Sequence, residues 1–296
     1  MTWLHATSVL YGNDEAGTAR LVASTVHSAG RARAAGLVDR VTYAIGDSSR
    51  EPAVTPDALK LLTERAERDG VELVYDFYDA NLGSAEGNNR LMRDQQADLF
   101  LMVNPDCYAA PDLVERLARR VADDRKVGIA EARQIPFDHP KAHDPKTGVT
   151  GWASMACCLI RGEAFRQVGE LDSATFFLYC DDVDYSWRTR LAGWTLSRVP
   201  TAVTFHDKRL TAEGAVKASP AEHYYAAEAA LFLTWKYSRT DLTEHLLAQF
   251  AKGPDHHKLA RREFLDRRSH GTLPEQLDPD HKVAEFVDGN YARHRF

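Results

Sequence analysis

Three carboxylates fall within four residues at Asp181-Asp182-Val183-Asp184, straight after the apolar and aromatic run Phe176-Phe177-Leu178-Tyr179-Cys180. Val183, Trp187 and Leu191 then recur at helical spacing, so the acids belong to the first turn of a helix. Carboxylates are favoured there by the helix macrodipole and by unpaired N–H groups, and a purely capping role for Asp181 or Asp182 is one reading. A further acid, Asp106, follows Asn104-Pro105 at the end of the apolar run Leu99-Phe100-Leu101-Met102-Val103. Two acidic clusters allow two jobs. One carboxylate can hold a divalent cation through oxygen, and another can take a proton as general base.

The elements that would position these groups follow from the hydrophobic pattern. Residues 4–11, 41–45, 71–77 and 99–103 read as strands, and residues 16–29, 59–69 and 89–95 as the helices between them. Such alternation predicts a mainly parallel, doubly wound α/β sheet with helices on both faces. The run at 99–103 has no polar face, the mark of a central strand. Each strand ends in polar or glycine residues: Tyr11-Gly12-Asn13-Asp14, Gly46-Asp47-Ser48-Ser49, Asn81 to Asn89, and Asn104-Pro105-Asp106. Ligands of open α/β sheets bind outside the carboxyl ends of the strands, so these ends predict one crevice. Neither GxGxxG nor GxxxxGK[ST] occurs, which excludes a dinucleotide fingerprint and a P-loop.

Farther along, a helix is expected at 113–121 and strands at 127–132, 152–160, 194–199 and 202–205, the last closing on His206-Asp207. Residues 133–148 have no apolar period and contain proline and histidine, which predicts a lid-like loop. A long helix at 221–237 carries Tyr224, Tyr225, Phe232, Trp235 and Tyr237 on more than one face. Part of it is expected to meet the catalytic domain and part a second subunit or a membrane-bound acceptor, unless the polar tail folds back over it. A composition shift at 210–220 marks the domain boundary.

The bulk composition excludes several classes. The chain has 296 residues, 44% hydrophobic and 27% charged, with a net charge of −6, so phosphate-driven nucleic-acid binding is not expected. No apolar run approaches a membrane span and no signal peptide is evident. Cys107, Cys157, Cys158 and Cys180 make no CxxC pair and lie in or beside apolar runs, which predicts buried, reduced thiols in a cytoplasmic protein.

A metal that neutralises a diphosphate, beside a base that activates a hydroxyl, is what sugar transfer from a nucleotide-sugar needs. At these residues the chain resembles the family 2 glycosyltransferases of GT-A fold, in their rhamnosyltransferase-like branch. Asn81-Leu82-Gly83-Ser84-Ala85-Glu86-Gly87-Asn88-Asn89 resembles N-x-G-F-A-G-G-N-N, and Val103-Asn104-Pro105-Asp106 resembles L-N-P-D, the local form of D-x-D. Gly169-Glu170-Leu171-Asp172 with Phe176 to Asp184 is similar to G-G-F-D…F-F-L-Y-x-E-D-V-D. Pro200-Thr201-Ala202 and His206 fall on the closing P-x-A…H, and residues 219–236 on the final helix. The pieces run in order over most of residues 4–237.

The resemblance implies a GT-A catalytic domain at 1–210, with a nucleotide-sugar half at 1–106 and an acceptor half at 107–210. A C-terminal helical extension follows at 211–296. It implies Mg²⁺ or Mn²⁺ on Asp106, with His206 completing the shell or touching the diphosphate. Asp182 becomes the catalytic base, and Asp181 stands beside it where the family usually has Glu. Asp47 becomes the acceptor for the N3–H of a uracil or thymine ring. Tyr11, Gly83, Asn88 and Asn104 join Asp47 and Asp106 around the nucleotide-sugar. Asn104 leaves one carboxylate fewer than D-x-D, so modest cation affinity is expected. The implied activity is inverting transfer of a hexose from a UDP-sugar or dTDP-rhamnose to a hydroxyl acceptor the sequence does not name, in a possible homodimer. A sugar nucleotidyltransferase and a non-enzymatic sugar-nucleotide-binding relative are the alternatives. The former lacks its glycine-rich loop near Tyr11 to Asp14, and the intact Asp106, Asp182 and His206 weigh against the latter.

Overall fold

The computed structural model describes residues 1–208, 218–287 and 290–291. Strand and helix alternate through its first half: β1 (Trp3–Leu10), α1 (Glu15–Ala34), β2 (Arg40–Asp47), α2 (Pro56–Arg68), β3 (Glu72–Phe77), α3 (Gly83–Met92) and β4 (Leu99–Val103). Asp14 caps α1 by accepting from Gly17 N, and Thr55 caps α2 by accepting from Ala58 N. The second half holds β5 (Cys107–Ala109), α4 (Leu113–Asp123), β6 (Val127–Ile135), β7 (Cys157–Arg161), α5 (Gly162–Val168), α6 (Asp181–Leu191) and β8 (Thr195–His206). Three helices close the chain: α7 (Pro220–Lys236), α8 (Thr240–Phe250) and α9 (Asp255–His270).

All the strands join one sheet in the order β3-β2-β1-β4-β7-β6-β8-β5. β7 runs antiparallel to both β4 and β6, and β5 antiparallel to β8; the remaining strands are mutually parallel. Leu10, Asp47, Phe77, Val103, Ile135 and His206 therefore end at one edge. β4 shows why both faces are covered. Leu99, Leu101 and Val103 pack with α1 and α4 on one side, while Phe100 and Met102 pack with α3, α5 and α6 on the other.

Three expectations change. Two short strands were expected over 194–205, and the chain forms one strand, β8. Its pairing with β6 shifts between Ala132–Val199 and Arg133–Val203, so a bulge absorbs Pro200, which has no N–H to donate. The helix expected from Asn89 begins at Gly83. The expected lid starts inside β6, and its remainder is tied down: Lys141 Nζ lies 2.6 Å from the buried Glu131 carboxylate, donates to Trp152 O at 2.9 Å, and sits 4.0 Å from the Trp152 ring centre. Burial of this ion pair makes detaching the loop costly, because it would strand Glu131.

Of the aromatics expected on this helix, Tyr224, Tyr225 and Trp235 are half-buried. Phe232 and Tyr237 are fully buried, and they share a core with Phe176, Val183 and Trp187 of the acidic stretch and with Phe264 of α9. The expected boundary at 210–220 lies mostly outside the described residues. No described helix is long and apolar enough to cross a membrane. All the cysteines are free and buried.

Candidate active site

Asn104-Pro105-Asp106-Cys107 is a turn closed by Cys107 N donating to Asn104 O at 2.9 Å. Pro105 supplies the φ such a turn needs at its second position, and Asp106 at the third projects off the end of β4. Asn104 N donates to Ala156 O at 2.7 Å, which fixes the turn to the start of β7. Beyond the turn, Cys107 pairs directly with His206 across β5 and β8, so the turn and the end of β8 must meet. His206 Nε2 lies 3.1 Å from Asp106 Oδ2. The Asp106 side chain is 43% exposed, and so reachable by a ligand from solvent.

Among the described residues, Asp106, Cys107 and His206 are the group whose metal-capable atoms converge, all within 4.8 Å. Burial, followed by the neighbouring Asp106 carboxylate, pushes the Cys107 thiol well up, so it stays protonated. A carboxylate and an imidazole facing each other suit a hard divalent cation. This donor set fits Mg²⁺ or Mn²⁺.

A bonded chain leads from this pair to the acidic helix. Gln134 Oε1 lies 2.6 Å from His206 Nδ1, and Gln134 Nε2 donates to Ser154 Oγ at 3.1 Å. Next to Ser154, Ala153 N donates to Ser186 Oγ at 3.0 Å, and Ser186 Oγ donates back to Ala153 O at 3.2 Å. Ser186 lies one turn along α6 from Asp182, on the same helix face. Burial pushes the Cys158 thiol at the start of β7 well up, and the Asp182 charge adds a smaller push.

The three acids of α6 differ in setting. Asp184 is fully buried and contacts Lys236 Nζ at 2.6 Å and Arg188 Nε at 2.8 Å, so it holds the fold. Asp182 is half-buried, and its Oδ1 accepts from Val183 N at 2.9 Å. Burial, and then the adjoining Asp182 carboxylate, raise the Asp181 carboxyl to about 7. Tyr179 and Cys180, which lead into the helix, both take left-handed φ values, 70° and 61°. Non-glycine residues in that region store strain, and such strain gathers at functional sites.

Farther along the same sheet edge, Asp47 is fully buried at the end of β2, opposite Leu10 of β1. Its Oδ1 accepts from Ser49 N at 2.9 Å, and its Oδ2 from Ala53 N at 2.7 Å and from Tyr75 OH. Much of its accepting capacity is thus spent on its own loop. Tyr11, at the adjacent end of β1, is 59% exposed.

Gly83 and Asn88 also hold α3 against its neighbours. Gly83 has φ +72°, and a Cβ there would lie 2.8 Å from Phe177 O, so the missing side chain lets α3 meet the segment before the acids. Asn88 is buried, accepts from Thr7 Oγ1 at 2.8 Å and donates to Ser84 O at 2.9 Å, tying α3 to β1. Its neighbour Asn89 brackets Leu171 by accepting from its N at 2.9 Å and donating to its O at 2.8 Å. Glu86 accepts from Ser173 Oγ at 2.8 Å. The glycine- and asparagine-rich segment therefore braces the acidic stretch from the same face of the sheet. Asn89, Gln134, Ser154 and Lys236 all matter to this site. Asn89 was visible within its motif, whereas the other three carry no local signal.

A mostly parallel sheet with one antiparallel strand inserted, helices on both faces and an acidic turn at its carboxyl edge define the GT-A fold of glycosyltransferases. GalNAc-T7, solved with UDP, GalNAc and Mn²⁺, shares it with a TM-score of 0.63 and 14% identity over 92% of this chain and 59% of that one. A mannosyltransferase of Pyrobaculum calidifontis, in complex with GDP-Man and Mn²⁺, aligns with a TM-score of 0.53 and 13% identity over 88% of this chain and 68% of that one. In sequence, 65 residues are 42% identical to the N-acetylglucosaminyl-diphospho-decaprenol L-rhamnosyltransferase of Mycobacterium tuberculosis, found in two strains. The match takes in 22% of this chain and spans about a fifth (21%) of those relatives. No protein-family model matches the chain.

Proposed function

We infer that this chain is an inverting glycosyltransferase that moves a hexose from a nucleoside-diphosphate sugar to an acceptor hydroxyl. The observation that carries the reading is the bonded chain from Asp106 and His206 through Gln134, Ser154 and Ser186 to the helix turn bearing Asp182. It joins a cation-type donor pair to a candidate base on one rigid frame. Support also comes from the GT-A fold, the Mn²⁺ and nucleotides bound by proteins that share it, and the short rhamnosyltransferase match.

In this reading Tyr11 stacks on the base and the Asp47 loop reads its edge. Asn104 and the backbone near Gly83 lie along the diphosphate and sugar, and Asn88 holds α3 in place. Asp106 and His206 hold Mg²⁺ or Mn²⁺, which when bound neutralises charge on the leaving diphosphate. Asp182 takes the proton of the acceptor hydroxyl as that oxygen bonds to the anomeric carbon. The bond from that carbon to the diphosphate oxygen breaks, its electron pair leaves with the nucleoside diphosphate, and the anomeric centre inverts. Asp181 lies beside the base and tunes it. Residues 1–106 form the donor half, 107–210 the acceptor half, and 211–296 a helical extension.

A panel of UDP-hexoses and dTDP-rhamnose, assayed for release of nucleoside diphosphate with Mn²⁺, tests the reading. Asp182→Asn keeps shape and hydrogen-bonding reach but cannot take the proton, so turnover should fall roughly 10²–10⁴-fold with donor affinity near wild type. Asp106→Asn should instead weaken nucleotide binding in Mn²⁺, with partial rescue by added metal. A fully active Asp182→Asn protein would return that acid to a capping role. Turnover of a nucleoside triphosphate with a sugar phosphate would favour the nucleotidyltransferase.

A further inference from the structure

We propose that Gln134 is a positioning residue that fixes the tautomer of His206 and thereby turns the Asp106–His206 pair into a cation site. The proposal rests on the reading of those two residues as metal ligands. A glutamine carbonyl oxygen can only accept, so Gln134 Oε1 at 2.6 Å requires a proton on His206 Nδ1. In the neutral ring the Nε2 lone pair then points outward, at Asp106 Oδ2 3.1 Å away. An ionised carboxylate has no proton to give. Two acceptors at that separation repel unless a proton or a metal cation lies between them.

The orientation of the Gln134 amide decides the matter, and in the structure its nitrogen faces Ser154. Gln134 Nε2 donates to Ser154 Oγ at 3.1 Å, and both side chains are buried. Ser154 N is held by Glu131 Oε1 at 2.9 Å, and Glu131 in turn by Lys141 at 2.6 Å. The fastening of the 136–149 loop therefore also fastens the amide that orients the histidine. With the amide reversed, Nδ1 would accept, Nε2–H would donate to Asp106, and the pair would be a closed hydrogen bond with no vacancy for a metal.

Long-range ¹H–¹⁵N spectra of histidine-labelled, metal-free protein at about pH 8, where an ordinary imidazole is neutral, read the tautomer directly. Wild type should show His206 protonated on Nδ1. Gln134→Leu should move the proton to Nε2 and weaken Mn²⁺ binding, followed by electron paramagnetic resonance, roughly 10–100-fold. Gln134→Glu, which also accepts from Nδ1, should restore both. An Nε2-protonated His206 in wild type, or a tautomer unchanged in a folded Gln134→Leu protein, overturns the proposal. Failure of the wild type to take up Mn²⁺ in the presence of UDP overturns the ligand reading instead, and the spectra still decide the role of Gln134.

Discussion

Asp181, Asp182 and Asp184 share one helical turn, yet their surroundings give them different chemistry. Asp184 is neutralised by Lys236 and Arg188, and Asp181 is raised to about 7 by burial and by Asp182. The consequence for stability has a definite sign. The unfolded chain releases the Asp181 proton near its ordinary value of 3.8, while the native chain keeps it until about 7. Between those values the native state binds more protons, so stability falls as pH rises through the window. Asp181→Asn removes the penalty. Its melting temperature should exceed wild type more at about pH 8 than at about pH 5. An equal shift at both would mean that the Asp181 carboxyl is not perturbed in the fold.

At the scale of elements, α6 is held from two sides. The N-terminal end of α3 braces the segment before it through Gly83, Glu86 and Asn89. α7 braces it from the other side through Lys236, which contacts both Asp172 and Asp184 at 2.6 Å. Tyr237 OH adds a bond to Asp184 O at 2.9 Å. Lys236→Ala leaves Asp172 without its cation and Asp184 with Arg188 alone. Breaking a buried pair in this way costs about 3–5 kcal/mol, which urea unfolding would register as a lowered midpoint. Lys236→Ala with a wild-type midpoint would show that water replaces the ammonium there.

Across the whole molecule, the C-terminal helices complete the core behind the candidate base. Trp187 of α6 is fully buried, with its ring 4.7 Å from Tyr237 and 5.2 Å from Phe286. Phe232 packs on Phe264 at 5.7 Å. Removing residues 219–296 would expose Phe176, Val183 and Trp187 together. Loss of so much apolar burial should yield an aggregating or dye-binding chain without transferase activity. A soluble, active truncation would make these helices an accessory.

Much of this arrangement is written locally. Apolar runs of strand length, the Asn104-Pro105-Asp106 turn and the helical spacing after Asp182 each depend on residues near one another in the chain. So the mainly parallel sheet, its polar carboxyl edge and the acids on the first turn of a helix are legible from periodicity and turn chemistry. The pairing of those acids with partners is not. His206 stands 100 positions from Asp106, and what joins them is β5, a three-residue strand too short to leave a periodic signal. Gln134 reads as part of a loop until β6 extends through it and sets it beside β8. Lys236 reads as the polar end of an aromatic helix until α7 packs on α6 and brings it to Asp184. Sheet order and helix docking are settled by the total apolar surface buried, a property of the whole chain that no local stretch carries. Only the tertiary structure could therefore decide which carboxylate is neutralised, which is raised, and which histidine nitrogen faces Asp106.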